Sequence, residues 1–219
     1  HFSSFDSLVP TWNRLSSTSY HVLGNHDFEV KDSLKSQIFE KLNLKKRYYS
    51  INQNDWKFIV LDGTDLSFYG SLDSIKLNET KKLFSKKESD SLPYAKVYNG
   101  GLSKEQFTWI EQELVDAKDN NQNVGFYCHF PLSPINNGNL WNTNELQELI
   151  EKNNHVKVFM NGHKHEGAYD FKNGVHYLTF KGMVNTSDST SFARANFYKD
   201  SIQIKGYGRE VNRTLIITP

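Results

Sequence analysis

Gly24-Asn25-His26-Asp27 sets an amide oxygen, an imidazole and a carboxylate side by side, directly after the apolar run Tyr20-His21-Val22-Leu23. That run reads as a short buried strand, and a glycine at its end permits a sharp turn. Cys128-His129-Phe130-Pro131 and Gly162-His163-Lys164-His165 each follow an apolar, strand-like run in the same way. Imidazole and carboxamide ligands suit borderline divalent ions such as Mn, Fe, Zn or Co. Loops just beyond the C-terminal ends of strands are where open α/β sheets build their sites. Asn25, His129, His163 and His165 are therefore the candidate metal ligands. His26 adjoins a ligand and is a candidate catalytic general acid for a leaving oxygen; Asp27 is expected to orient its imidazole. Two ions about 3.5–4 Å apart can clamp a phosphoryl group and activate water. A lone histidine after a strand usually serves packing. Three such blocks in one chain point instead to a metal-dependent phosphoesterase.

The remaining histidines, His1, His21, His155 and His176, have no such context and are expected to be structural or exposed. Cys128 is the one cysteine. It reads as a small buried hydrophobe behind His129, rules out an intrachain disulfide and fits a reducing compartment; a cytoplasmic location is expected. A Cys128–His129 nucleophilic pair is disfavoured, because neighbours on a strand point to opposite faces. The net charge of +1 leaves no electrostatic footprint for nucleic acid, and no apolar run is long enough to cross a membrane. The expected partner is a small molecule. Glycosylation triplets at Asn78, Asn185 and Asn212 are short enough to arise by chance and carry little weight.

The elements that must position these blocks follow from periodicity. Ser7 to Arg14 suits a short helix with Pro10 in its first turn, and 33–44 suits a second helix with Asp32 as N-cap. Residues 48–51 and 56–61 read as a hairpin. The polar stretch 64–96 reads as a surface excursion with one helix. Ser103 caps a helix running to about Lys118, with Gln106 completing a capping box and Phe107, Ile110 and Leu114 forming its buried stripe. Strands are expected at 124–129 and 156–160, with a helix carrying Leu146, Leu149 and Ile150 inward between them. Alternating segments at 175–180, 193–198, 202–207 and 214–217 read as antiparallel strands, with Asp200-Ser201 as a turn. Strand–helix alternation followed by strands alone implies sheets packed together with helices outside.

The three blocks resemble the last three metal-binding blocks of calcineurin-like metallophosphoesterases. Further segments resemble the manganese-dependent ADP-ribose/CDP-alcohol diphosphatases in particular. They are Val22 to Phe28, Leu61-Asp62-Gly63-Thr64-Asp65-Leu66-Ser67, Asn99-Gly100-Gly101 with Gln106 and Trp109, Leu140-Trp141-Asn142, and Gly206-Tyr207-Gly208-Arg209. The resemblance implies an α/β four-layer sandwich, two facing sheets with helices outside. It implies a dinuclear site for two divalent ions, most naturally Mn, in which Asn25, His129 and His163 serve one ion and His165 the other, with His26 as acid. The implied substrates are ADP-ribose, CDP-choline and related nucleoside diphosphate compounds, cut at the pyrophosphate.

Two departures qualify that pattern. The family's first two blocks, Asp-x-Gln or Asp-x-His and then Gly-Asp, do not precede Asn25; Asp6 lies in a Ser-rich stretch with no glycine before it. Residues 1–219 are accordingly expected to be one N-terminally truncated domain lacking its first strands, with an incomplete metal site. Lys164 stands between two ligands where the subgroup usually carries an acidic residue, adding positive charge there. The alternatives to a diphosphatase are another calcineurin-like phosphodiesterase or phosphomonoesterase, or a non-catalytic nucleotide-binding relative.

Overall fold

The computed structural model describes residues 2–217. A six-stranded sheet runs in the order β1-β2-β3-β4-β6-β5, from β1 (Tyr49–Gln53), β2 (Trp56–Val60), β3 (Asn123–Tyr127), β4 (Val156–Asn161), β5 (Ala168–Lys172) and β6 (Val175–Thr179). β2, β3, β4 and β6 are parallel, and β1 and β5 close the two edges as antiparallel hairpin partners. The central strands are nearly continuous apolar runs, as strands covered on both faces must be. One face packs Ile59, Phe126, Phe159 and Tyr177 beneath helices α5 (Lys104–Asp119) and α6 (Thr143–Glu151). The other packs Trp56, Val158, Met160 and Leu178 against Ile202, Ile204 and Leu215 of a second sheet. That sheet is β7 (Ser191–Phe197), β8 (Ser201–Gly208) and β9 (Arg213–Ile216), paired antiparallel. The layering of helices, sheet and facing sheet is that of the expected sandwich class.

Several elements differ from the sequence reading for identifiable reasons. Tyr20 to Leu23 has no regular secondary structure and joins no ladder among the described residues; only Leu23 is buried, while Tyr20 and Val22 are exposed. It is tied instead by its backbone to a side chain, with His21 N–H donating to the Tyr49 hydroxyl and that hydroxyl donating back to the His21 carbonyl. Helix α1 begins earlier than expected (Ser4–Trp12) and carries Pro10 in its interior, because Phe2 and Phe5, not Leu8 and Trp12, pack inward. The second helix is broken into α2 (Asp32–Lys35) and α3 (Ile38–Lys41). Asn43 at φ 51° ends α3 in the left-handed cap conformation, with Leu44 N–H returning to the Phe39 carbonyl at 2.8 Å. The polar excursion holds one helix, α4 (Ser74–Ser89).

Ser103 caps α5 as expected, accepting from Gln106 N–H, but Gln106 does not close a capping box. The Asp65 carboxylate accepts from Ser103 N–H instead. The buried Gln106 amide reaches back to the loop after β2, accepting from Asp62 N–H at 3.0 Å and donating to the Asp62 carbonyl at 3.1 Å. A presumed cap is therefore a clamp between α5 and that loop. His155 bonds the Leu114 carbonyl, and His176 sits between the Tyr169 hydroxyl and the Ile216 carbonyl, both structural roles. His1 lies outside the described residues.

Candidate metal centre

Parallel register brings two of the three blocks together. Tyr127 on β3 faces Met160 on β4. Beyond that pair, Cys128 N–H donates to the Met160 carbonyl and Gly162 N–H to the His129 carbonyl. The two strand ends therefore deliver His129 and His163 to the same point, with His129 Nε2 3.1 Å from His163 Nδ1. The third block arrives on a 3₁₀ turn, Asn25–Phe28, held by Phe28 and Leu23 packing on Ile38. That turn sets Asn25 Oδ1 3.0 Å from His129 Nε2. Close approach depends on Gly24: a Cβ there would stand 2.9 Å from His129 Cγ and Nδ1.

Asn25 Oδ1 and His163 Nδ1 thus both lie within 3.0–3.1 Å of His129 Nε2. Burial holds both imidazoles far below the ordinary histidine range, to about 3 for His129, helped by the charges of His163, His26 and His165, and to about 4 for His163, helped by those of His26, Lys164 and His165. Both rings are therefore neutral at pH 7, the form that ligates metals. The donor set fits a borderline divalent ion.

The other expected residues fall into place unevenly. His165 is exposed, with Nδ1 3.3 Å from Asn185 Oδ1, yet near enough that its charge depresses both His129 and His163. His26 projects into solvent on the same side and acts on both in the same way. Asp27 does not orient it. The Asp27 carboxylate folds back to accept from Gly24 N–H at 2.8 Å, satisfying a backbone donor of its own turn. Glu29 takes the role instead, with Oε2 2.8 Å from His26 Nδ1 at i+3. Among the described residues, no group of three or more His, Cys, Asp or Glu gathers around an ion position; the centre is two imidazoles and an amide.

The calcineurin-like phosphoesterase family model matches residues 2–167. This chain belongs to the calcineurin-like phosphoesterases. It is 28% identical over 224 residues to a manganese-dependent ADP-ribose/CDP-alcohol diphosphatase of Arabidopsis thaliana, covering 92% of this chain and 71% of that protein. The protein of the same name from Homo sapiens is 26% identical over 245 residues, covering 97% and 71%. The fold matches the crystal structure of a dimetal phosphatase from Danio rerio with a TM-score of 0.87, at 24% identity, over 98% of this chain and 77% of that one.

Sequence reasoning missed two groups that shape this phosphoesterase's site. Asn99 Oδ1 lies 3.0 Å from His163 Nε2; only its place before Gly100-Gly101 draws the eye in the sequence. In the sequence Arg47 only closes the basic run Lys45-Lys46-Arg47, yet it forms an ion pair with the fully buried Asp62 and donates to the Gly70 carbonyl at 3.0 Å. Its guanidinium also lies 5.3 Å over the Phe28 ring, at the end of the turn that carries Asn25 and His26. Burial pushes the Asp62 carboxyl up, and Arg47 and Thr64 pull it back.

Proposed function

We propose that the chain carries the catalytic centre of a manganese-dependent hydrolase that cleaves the pyrophosphate of ADP-ribose, CDP-choline and related nucleoside diphosphate compounds. The observation that carries this reading is the convergence of Asn25, His129 and His163, with His26 beside it. The names of relatives that align along nearly the whole chain supply the substrate class. Asn25, His129 and His163 would hold one divalent ion and His165 would contribute to a second. A divalent ion bound there supplies Lewis-acid stabilisation of a phosphoryl oxygen and a nucleophile at neutral pH.

The chain's own residues do the rest. His26 Nε2 has no protein partner among the described residues, while Glu29 engages Nδ1 and fixes the ring. That nitrogen is free to hand a proton to the oxygen that leaves when the P–O–P bridge breaks. Lys164 brings a positive charge close enough to act on His163. The Lys164 ammonium is drawn aside by Asn137 Oδ1 at 3.1 Å, and Arg47 holds the Asn25 turn from below.

Hydrolysis of ADP-ribose, CDP-choline and an aryl phosphomonoester should be compared with Mn²⁺ present, with and without chelator. Chelator-sensitive release of AMP or CMP supports the reading. Activity confined to the monoester would reject the diphosphatase and leave the family standing; binding of the nucleotides without turnover would reject catalysis.

A further inference from the structure

Asn99 is fully buried, and both hydrogens of its amide nitrogen are committed: Nδ2 donates to the Tyr94 carbonyl at 3.0 Å and to the Asn137 carbonyl at 2.9 Å. The amide cannot be turned over without setting its oxygen against two carbonyls and its nitrogen against an imidazole N–H. Asn99 Oδ1 must therefore face His163 Nε2, 3.0 Å away, as an acceptor. In the neutral ring, Nε2 then carries the proton and Nδ1 presents a bare lone pair. That lone pair points at His129 Nε2, 3.1 Å away.

We propose that Asn99 is a positioning residue that fixes the tautomer of His163 and so presets Nδ1 as the ligand atom. The inference rests on His163 serving the centre described above. The same logic runs on to His129. Its Nε2 lies between two acceptors, His163 Nδ1 and Asn25 Oδ1, and holds the one proton that metal binding must displace. His163 needs no such change. Its backbone is also unusual, at φ 63°, a conformation uncommon outside glycine. Asn99 pins the side chain of that residue to the loops around Tyr94 and Asn137. A histidine ligand whose second nitrogen is bound this way keeps its orientation; losing such a partner typically weakens metal binding by roughly 10–100-fold.

The test uses the metal-free protein labelled with ¹⁵N-histidine at pH 7.5, with Mn²⁺ titrated calorimetrically into unlabelled samples. In the wild type, His163 is expected to show a protonated Nε2 and an unprotonated Nδ1. Asn99→Leu should yield mixed tautomers and Mn²⁺ affinity weaker by about 10–100-fold. Asn99→Asp keeps the acceptor and should retain the Nε2-protonated tautomer, while its second oxygen, set against the Tyr94 and Asn137 carbonyls, lowers the melting temperature. Circular dichroism reports folding of each variant. A wild-type His163 protonated on Nδ1 would overturn the proposal, whether or not Asn99→Leu folds. So would a folded Asn99→Leu that binds Mn²⁺ weakly with an unchanged tautomer, since Asn99 would then matter only for loop packing. None of these readouts involves substrate, so a failure to hydrolyse ADP-ribose leaves them unaffected.

Discussion

Replacing Gly24 by alanine tests how the site is packed, because one methyl group separates the two outcomes. The Gly24 backbone is extended, at φ −124° and ψ 171°, which alanine adopts without strain. The methyl itself is the problem: it would lie 2.9 Å from His129 Cγ and Nδ1 and 3.0 Å from Cε1, against ordinary carbon contacts of about 3.5–4.0 Å. Three ring atoms are struck together, so rotation cannot relieve the clash. The ring, or the turn, must move by roughly 0.5 Å. His129 has little room, with Phe130 packed edge-on at 5.0 Å and His163 at 4.9 Å. A shift of that size exceeds the tolerance of about 0.2 Å in ligand distances. Mn²⁺ affinity should fall by at least about 10–100-fold, the range for a ligand that loses the contacts orienting it. Overpacking costs about 1–3 kcal/mol, offset by about 0.4–1 kcal/mol from the stiffer unfolded chain. The fold should therefore survive with a melting temperature lower by only a few degrees. Titration calorimetry with Mn²⁺ and a melting curve of the metal-free protein measure both quantities. A Gly24→Ala protein binding Mn²⁺ within twofold of the wild type would refute the claim that His129 is held in a rigid, preset position.

His26→Ala should retain Mn²⁺ binding while losing about 10²–10⁴-fold in rate on ADP-ribose, and less on an activated aryl ester whose leaving group needs no proton; equal losses on both would remove the acid role. Glu29→Gln, which keeps the hydrogen bond and removes the charge, should slow ADP-ribose turnover less than His26→Ala; a larger loss would show that Glu29 does more than orient the ring. Arg47→Met strips the partner from a fully buried carboxylate and should destabilise the protein by about 3–5 kcal/mol, measured by urea unfolding; a change below about 1 kcal/mol would mean that Asp62 is neutral in the fold. Metal-free stability should fall from pH 7.5 to pH 5. His129 and His163 stay neutral down to about 3 and 4, whereas their unfolded counterparts bind protons below about 6.5, so each contributes up to about 1.4 kcal/mol per pH unit. Burial lowers His21, His155 and His176 in the same sense. It raises Asp27 and Asp62, which oppose the trend from about pH 3.8 upward; the large shifts of His129 and His163 set the expected sign. Urea midpoints that stay level across that range would contradict neutral, buried imidazoles.

Much of this arrangement was legible because it follows from periodicity and from local turns. The strand ends before His129 and Gly162 are short apolar runs, and their parallel pairing follows from the strand–helix alternation between them. Ser103 and the stripe Ile110 and Leu114 marked α5 for the same reason. Where the reading failed, tertiary contacts overrode local rules. Gln106 sits at the capping-box position, but its amide is taken by Asp62 on a neighbouring loop. Asp27 is closest in sequence to His26, but its own turn offers the Gly24 N–H first. Strand β5 escaped notice because Asp170 and Lys172 dilute its apolar content at an exposed edge. The Asn173-Gly174 turn, at φ 49° and 82°, was the available hairpin signal. Asn99 was marked only as the first residue of Asn99-Gly100-Gly101, and nothing local tied it to His163 or Arg47 to Asp62, because those partners lie 64 and 15 residues away.

Anomalous diffraction at the manganese edge, from crystals grown with Mn²⁺, tests the central claim most directly. The ion is expected about 2.1–2.2 Å from Asn25 Oδ1, His129 Nε2 and His163 Nδ1 together, a bond length of the kind small divalent ions take. An ion bound elsewhere, or none at these three atoms at saturating Mn²⁺, would contradict it.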